Sequence, residues 1–201
     1  MRDSKLYGMV LGGRRAFAGL ILLIVLLASC TAAKKRKSEK YYVEHKQTIT
    51  EVRQLFDKLY QHMPFSAGFS DRSLKYFVLE ILSDSVRFIY NGEKNQPQLE
   101  EAVDRFGFDT TQLRTLATKL QQINCIWISK RSFYVNQQRE TVTFLSFKSI
   151  ANPNLFSENK YYILLFPPKQ IISRHFRERI RRGDLVKIED QVWFTIGSNF
   201  R

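Results

Sequence analysis

Two cysteines, three histidines and one arginine-rich stretch are the places where this chain could do chemistry. Cys30 ends the run Leu27-Ala28-Ser29-Cys30, a thiol that follows small side chains. Cys125 lies in Asn124-Cys125-Ile126-Trp127-Ile128-Ser129, where nothing nearby would lower its pKa, so it reads as a small hydrophobe rather than a nucleophile. His45, His62 and His175 are far apart, and none has a neighbouring His, Cys or acid at metal-ligand spacing. His62 falls at an expected helix end, where an imidazole can meet free carbonyls. Glu80 with Asp84, or Glu189 with Asp190, could supply the two carboxylates of glycan cleavage, but carboxylates beside turns are commonly surface groups. Ser66-Ala67-Gly68-Phe69-Ser70-Asp71 offers two serines without an identifiable base and reads as a surface loop. Phosphate loops, a nucleophile elbow and a zinc-protease helix are absent. The expectation is a non-enzymatic protein with no catalytic residues, no metal and no cofactor.

The distinctive basic feature is Gln170 to Arg182. Ile172, Phe176 and Ile180 are four apart and share one helical face, while Arg174, Arg177 and Arg181 lie nearly opposite. Gly183 is a suitable stop. The plain reading is a helix packed on a sheet with a solvated basic side. The functional reading makes Arg174, Arg177 and Arg181 a candidate anion-binding cluster, because planar guanidinium groups match phosphate and carboxylate.

The elements that must position these residues follow from periodicity. Thr48-Ile49-Thr50-Glu51 has the form of a capping box, after which Val52, Leu55, Phe56, Leu59 and Met63 recur at helical spacing until Pro64. Residues 74–82 and 85–91 read as a β-hairpin around Ser83-Asp84, closed by Asn91-Gly92. Pro97 opens a short helix with Leu99, Val103 and Phe106 on one face and Gly107 as its stop. Asp109-Thr110-Thr111-Gln112 opens another, carrying Leu113, Leu116, Ala117 and Leu120. Strands are expected at 124–129, 132–136, 141–149, 160–166, 185–189 and 191–197. Helices come early and strands late, so the expected fold is α+β, a largely antiparallel sheet packed against a few helices.

The N-terminus is of another kind. Arg14 and Arg15 precede a 12-residue apolar run from Ala16 to Leu27, which leads into Leu27-Ala28-Ser29-Cys30. This pattern resembles the lipobox of bacterial lipoproteins: an aliphatic residue three places before the Cys, two small residues, then the Cys itself. The resemblance implies cleavage before Cys30, a diacylglyceryl thioether on its sulfur, and commonly a third acyl chain on the new amine. Each buried methylene contributes about 0.8 kcal/mol, so two or three chains make a durable anchor. Competing readings are a spanning helix, since Ala16 to Ala33 gives 18 residues without a charge, and an unlipidated signal peptide. Arg14-Arg15-Ala16-Phe17 faintly resembles a twin-arginine signal, but Gly13 precedes it, and the general secretory route is favoured. Met9 is an alternative start. Thr31 rather than Asp follows the Cys, which under the familiar Gram-negative sorting rule implies the outer membrane.

The organisation expected is a lipoprotein signal peptide over 1–29, the lipidated Cys and a basic flexible tether over 30–47, and one α+β domain over 48–201. A chain of 201 residues with 44% hydrophobic and 25% charged residues suits one ordinary domain, and these fractions exclude a disordered chain and a multispan membrane protein. Two cysteines exclude a disulfide framework. The net charge is +13; removing Arg2, Lys5, Arg14, Arg15 and the single acid Asp3 leaves 28 basic against 18 acidic side chains. Outside the cytoplasm that excess points away from nucleic acid and towards anionic lipid, an envelope polymer or an envelope protein. Lys34, Lys35, Arg36, Lys37, Lys40 and Lys46 against Glu39 and Glu44 make residues 31–46 an extended, charged spacer, with each basic residue near an anionic bilayer contributing about 1 kcal/mol.

The order helix, Asn-Cys strand, hairpin and then Tyr161-Tyr162-Ile163-Leu164-Leu165-Phe166 resembles uncharacterised lipoproteins of the Bacteroidota over roughly residues 110–197. It rests on apolar patterning and implies a provenance without a mechanism. The leading functional expectation is a membrane-anchored envelope lipoprotein with a binding or structural role. The alternatives are a wall- or glycan-active enzyme whose residues converge only in three dimensions, and an immunity or inhibitor lipoprotein.

Overall fold

A computed structural model describes residues 4–71, 73–82, 87–135, 137–150, 160–167 and 174–197, with side chains described for most positions from Ala33 onward. Helix α1 spans Ser4–His62; strands β1 (Phe65–Phe69), β2 (Tyr76–Leu82) and β3 (Arg87–Glu93) follow, then helices α2 (Pro97–Asp104) and α3 (Thr110–Gln122). Strands β4 (Trp127–Val135), β5 (Gln138–Ile150) and β6 (Lys160–Phe166) precede helix α4 (Arg174–Arg181), and β7 (Val186–Glu189) and β8 (Val192–Gly197) complete the order. The strands form one eight-stranded sheet in the order β3-β2-β1-β4-β5-β6-β8-β7, antiparallel at every pairing. The fold is α+β.

Alternation along the strands divides the sheet into two faces. Phe65, Ala67, Phe69, Phe77, Leu79, Ile81, Leu145, Leu164 and Phe194 join α1, α2 and α3 in the main core. Val142, Ile163 and Leu165 point the other way and pack with Phe176 of α4 and Leu185. Proline at the first turn starts α2, and Leu99 and Val103 are its buried residues. Asp109 caps α3 by accepting from the Gln112 backbone N–H. That helix ends in a Schellman turn: Asn124 takes φ 50°, its N–H reaches the Gln121 carbonyl, and the Cys125 N–H reaches that of Leu120. The Asn-Cys pair is thus the exit from α3 into β4.

Several expectations are corrected. Residues 30–47 belong to α1, so they are helical rather than an extended tether, and among the residues whose burial is described packing already includes Ser38 and Tyr42, upstream of residue 48. The stripe that buries this part of the helix is Ser38, Tyr41, Tyr42 and His45, continued by Ile49, Val52 and Phe56. Its inward groups are small or aromatic, so the apolar pattern was hidden among lysines. Those lysines support the helix through Lys35–Glu39 at 3.4 Å and Lys40–Glu44 at 3.6 Å, both i,i+4 pairs. Thr48 is a helix-interior residue rather than a cap; Glu51 pairs with Lys119 of α3 at 2.6 Å and accepts from the Gln47 side chain at 3.1 Å.

Residues 66–69 form most of the central strand β1 rather than a surface loop. Gly68 faces Trp127 across the β1–β4 pair, and a Cβ there would lie 2.2 Å from the Ile126 carbonyl oxygen and 2.4 Å from Trp127 Cε3. Only glycine fits. The hairpin of residues 74–82 and 85–91 is present as β2 and β3, with Tyr76 opposite Glu93 and Leu82 opposite Arg87. Asn91 and Gly92 lie inside β3, and Ser83-Asp84 falls outside the described residues. The separate strands expected at 124–129 and 132–136 are one continuous β4 paired with β5.

Four contacts fasten residues 41–46 of α1 to the rest of the fold. Tyr41 stacks on Phe147 with centroids 3.8 Å apart and planes 10° apart, and its hydroxyl donates to the Ile123 carbonyl at 2.7 Å. The Tyr42 hydroxyl donates to Glu189 Oε1 at 2.6 Å, and Lys46 Nζ meets Oε2 at 2.9 Å. The bonds from Tyr42 and Lys46 hold the Glu189 carboxyl below its usual pKa. A carboxyl depressed in the fold adds stability fully above its unfolded value of about 4.3 and loses it as pH falls through the lower folded value. Urea-unfolding midpoints measured against pH should therefore fall less steeply on the acid side for Glu189→Gln than for the wild type. Parallel acid limbs would contradict this coupling.

Candidate functional site

The C-terminal end of α4 builds the site. Gly183 adopts φ 75°, which places the Asp184 N–H 2.9 Å from the Arg179 carbonyl and the Gly183 N–H 3.0 Å from that of Ile180, a second Schellman turn. The turn brings Asp184 against β8, where the Thr195 hydroxyl donates to its carbonyl at 2.7 Å. The same hydroxyl oxygen accepts from Arg179 Nη2 at 2.8 Å. The Asp184 carboxylate lies 3.1 Å from Arg182 Nε, outside this chain of bonds. Arg179 therefore reaches the sheet through a hydroxyl rather than an acid. Burial lowers the pKa of its guanidinium; Asp184 acts in the opposite sense and Arg182 in the same sense as burial. An arginine still stays charged.

Arg179 and Thr195 separate two cavities. The larger, about 400 Å³, opens past the end of β7, beside Lys34 of α1, Gly183, Asp184 and Ile196. The smaller, about 120 Å³, lies on the α4 side of the sheet against Ser129, Arg131 and Ser146. The larger falls in the range of small-ligand sites, roughly 300–1,000 Å³. Chemically it offers an ammonium, a half-buried guanidinium and a hydroxyl. That donor set recognises an anion with several oxygens.

The arginines singled out from sequence stand elsewhere. Arg174, Arg177 and Arg181 are all exposed, opposite the packed Phe176 and Ile180, and none of them lines either cavity. Arg174 is occupied by Glu178 at 2.9 Å. Ile172 falls outside the described residues, as does the start of the helix expected from Gln170. The residue missed was Arg179, three places after the buried Phe176 and so at the border of the apolar face. Thr195 had no sequence signal, and Lys34 reads from sequence only as one basic residue of the spacer, since its approach to the cavity depends on the helical course of α1.

The other candidates occupy structural positions. Cys125 is fully buried, its Sγ 3.5 Å from the Trp127 carbonyl, and burial raises the thiol pKa. His62 Nε2 lies 2.9 Å from the Phe106 carbonyl, to which it donates, because a carbonyl only accepts; its ring meets Phe108 edge-on. The carbonyl it meets belongs to the turn after α2 rather than to its own helix. His45 stands edge-on to Tyr41, and the His175 side chain lies outside the described residues. Glu189 holds Tyr42 and Lys46 while Asp190 holds Lys187 at 2.6 Å, so the two carboxylates serve separate partners. Glu80 is buried and Asp84 falls outside the described residues. Among the described residues no three His, Cys, Asp or Glu side chains group closely enough to hold a metal ion. No protein-family model matches this chain, and no curated protein or solved structure is significantly similar to it.

Alkylation of the folded protein should leave Cys125 unmodified until denaturant is added, and Cys125→Ser should cost about 1–3 kcal/mol through burial of a hydroxyl. Rapid labelling of the native thiol would contradict its burial.

Proposed function

We propose that this chain is an envelope lipoprotein, anchored through acyl chains on Cys30, whose domain binds an anionic partner without catalysing a reaction. The observation that carries the anchor is Leu27-Ala28-Ser29-Cys30 directly after the apolar run from Ala16 to Leu27. Support for binding over catalysis comes from what the larger cavity presents: two cations, a hydroxyl and a single carboxylate, Asp184, with the thiol of Cys125 fully buried and outside its lining. The outer membrane is the expected address, because Thr31 rather than Asp follows the Cys.

The helical course of residues 30–47 changes how such an anchor would hold the domain. Eight residues separate Cys30 from Ser38, the first buried residue among those whose burial is described, which is about 12 Å at 1.5 Å per residue. An extended spacer over 31–46 would let the domain roam several times farther. The domain would sit against the bilayer surface, with Lys34, Lys35, Arg36 and Lys37 at headgroup level.

Metabolic labelling with a fatty-acid probe should mark the wild-type chain and fail on Cys30→Ala, which should also migrate as the uncleaved precursor. A label that persists on Cys30→Ala would overturn the proposal.

A further inference from the structure

We infer that the cavity between Lys34 and Arg179 is a phosphate-binding site for the headgroup of an anionic phospholipid in the same leaflet that holds the Cys30 acyl chains; this rests on the anchoring proposed above. Three observations converge on it. The first is the donor set: the Arg179 guanidinium is half-buried, spends one N–H on the Thr195 hydroxyl, and retains further N–H groups in a planar fork. A guanidinium fork and a lysine lining the same cavity suit the non-bridging oxygens of a phosphate ester.

The second is charge bookkeeping within the cavity wall. Its one acid, Asp184, is held 3.1 Å from Arg182 Nε, and its backbone carbonyl is taken by Thr195. Burial lowers the Arg179 pKa and Asp184 raises it through space, but the described ion pair of Asp184 is with Arg182 rather than with Lys34 or Arg179. The walls beyond the charged groups include Val186, Phe194 and Ile196, which suits an ester with a glycerol backbone better than a bare ion.

The third is position. Lys34 is four residues after Cys30 on one continuous helix, about 6 Å along its axis. That distance is shorter than the screening length of about 8 Å at physiological salt, so the site would lie within the electrostatic reach of the headgroup layer. A soluble phosphorylated ligand would present the same chemistry without needing this proximity, and the test must separate the two sources.

The test uses the mature acylated chain in a neutral detergent, with acylation at Cys30 verified by intact mass so that the anchor is judged independently. Binding of dihexanoyl phosphatidylglycerol and of inorganic phosphate is measured by calorimetry on the wild type, Lys34→Glu, Arg179→Gln and Arg177→Glu. The expected result is that the lipid binds at least about tenfold tighter than inorganic phosphate, and that Lys34→Glu and Arg179→Gln each weaken it about tenfold. Arg177 is exposed and lines neither cavity, so Arg177→Glu should bind as the wild type does. Lys34 is also exposed and makes no demand on the core, so its variant reports on the site even if Arg179→Gln fails to fold. Equal affinity for lipid and inorganic phosphate would overturn the lipid assignment. Binding unchanged in Lys34→Glu, or equally weakened in Arg177→Glu, would overturn the site itself.

Discussion

Tyr41 lies flat on Phe147, 3.8 Å between ring centroids, and its hydroxyl reaches the Ile123 carbonyl at the end of α3. One residue on, Tyr42 buries its ring and donates to Glu189 on the edge strand β7. Together these contacts draw a lysine-rich stretch into the domain. A helix of this composition would be marginal alone, since most helical stability in proteins comes from packing one face. Aromatic pairs add about 0.5–1.5 kcal/mol beyond the area they bury. Each hydroxyl also ties α1 to a distant element, Tyr41 to the end of α3 and Tyr42 to β7. The segment of α1 from Lys34 to Lys46 is thereby a strut, and Lys34, two turns before Tyr41, lines the larger cavity.

The same constraint links the two ends of the chain. Glu189 receives Tyr42 and Lys46 from α1, while β7 pairs with β8, which carries Thr195. The described pairing of β8 with β7 runs as far as Phe194, and Thr195 and Ile196 just beyond it line the larger cavity. The Schellman turn at Gly183 closes the arrangement by carrying Asp184 to Thr195. A site made from α1, α4 and β8 needs all three in place. None of them supplies more than two of its polar groups.

Much of the architecture was legible because it depends on local pattern. Helices α2 and α3 announced themselves through Pro97, the Asp109 cap and leucines at helical spacing, alternation marked β3, and a short continuous apolar run marked β6. Where the reading failed, long-range packing had replaced the local signal. Strand β1 contains Ser66, Ala67 and Gly68, small residues that look like a loop until Trp127 is laid across Gly68. Residues 31–46 of α1 look like a tether in sequence because the inward ones are Ser38, Tyr41, Tyr42 and His45 rather than aliphatic residues. In α4 the apolar face was readable, and so was the exposure of Arg174, Arg177 and Arg181. Arg179 was not, since its burial depends on Thr195, sixteen residues away on another strand.

The central claim is that residues 38–47 are part of the packed domain and hold its anchor at short range. Amide hydrogen exchange on the mature chain tests it most directly, because protection reports the free energy of opening each segment. The account requires the amides of Tyr42 and His45 to be protected to the same degree as those of Ile49 and Val52, in one cooperative unit. Exchange across residues 33–47 at the rate of unstructured chain, with 49–59 still protected, would contradict it and restore a flexible tether.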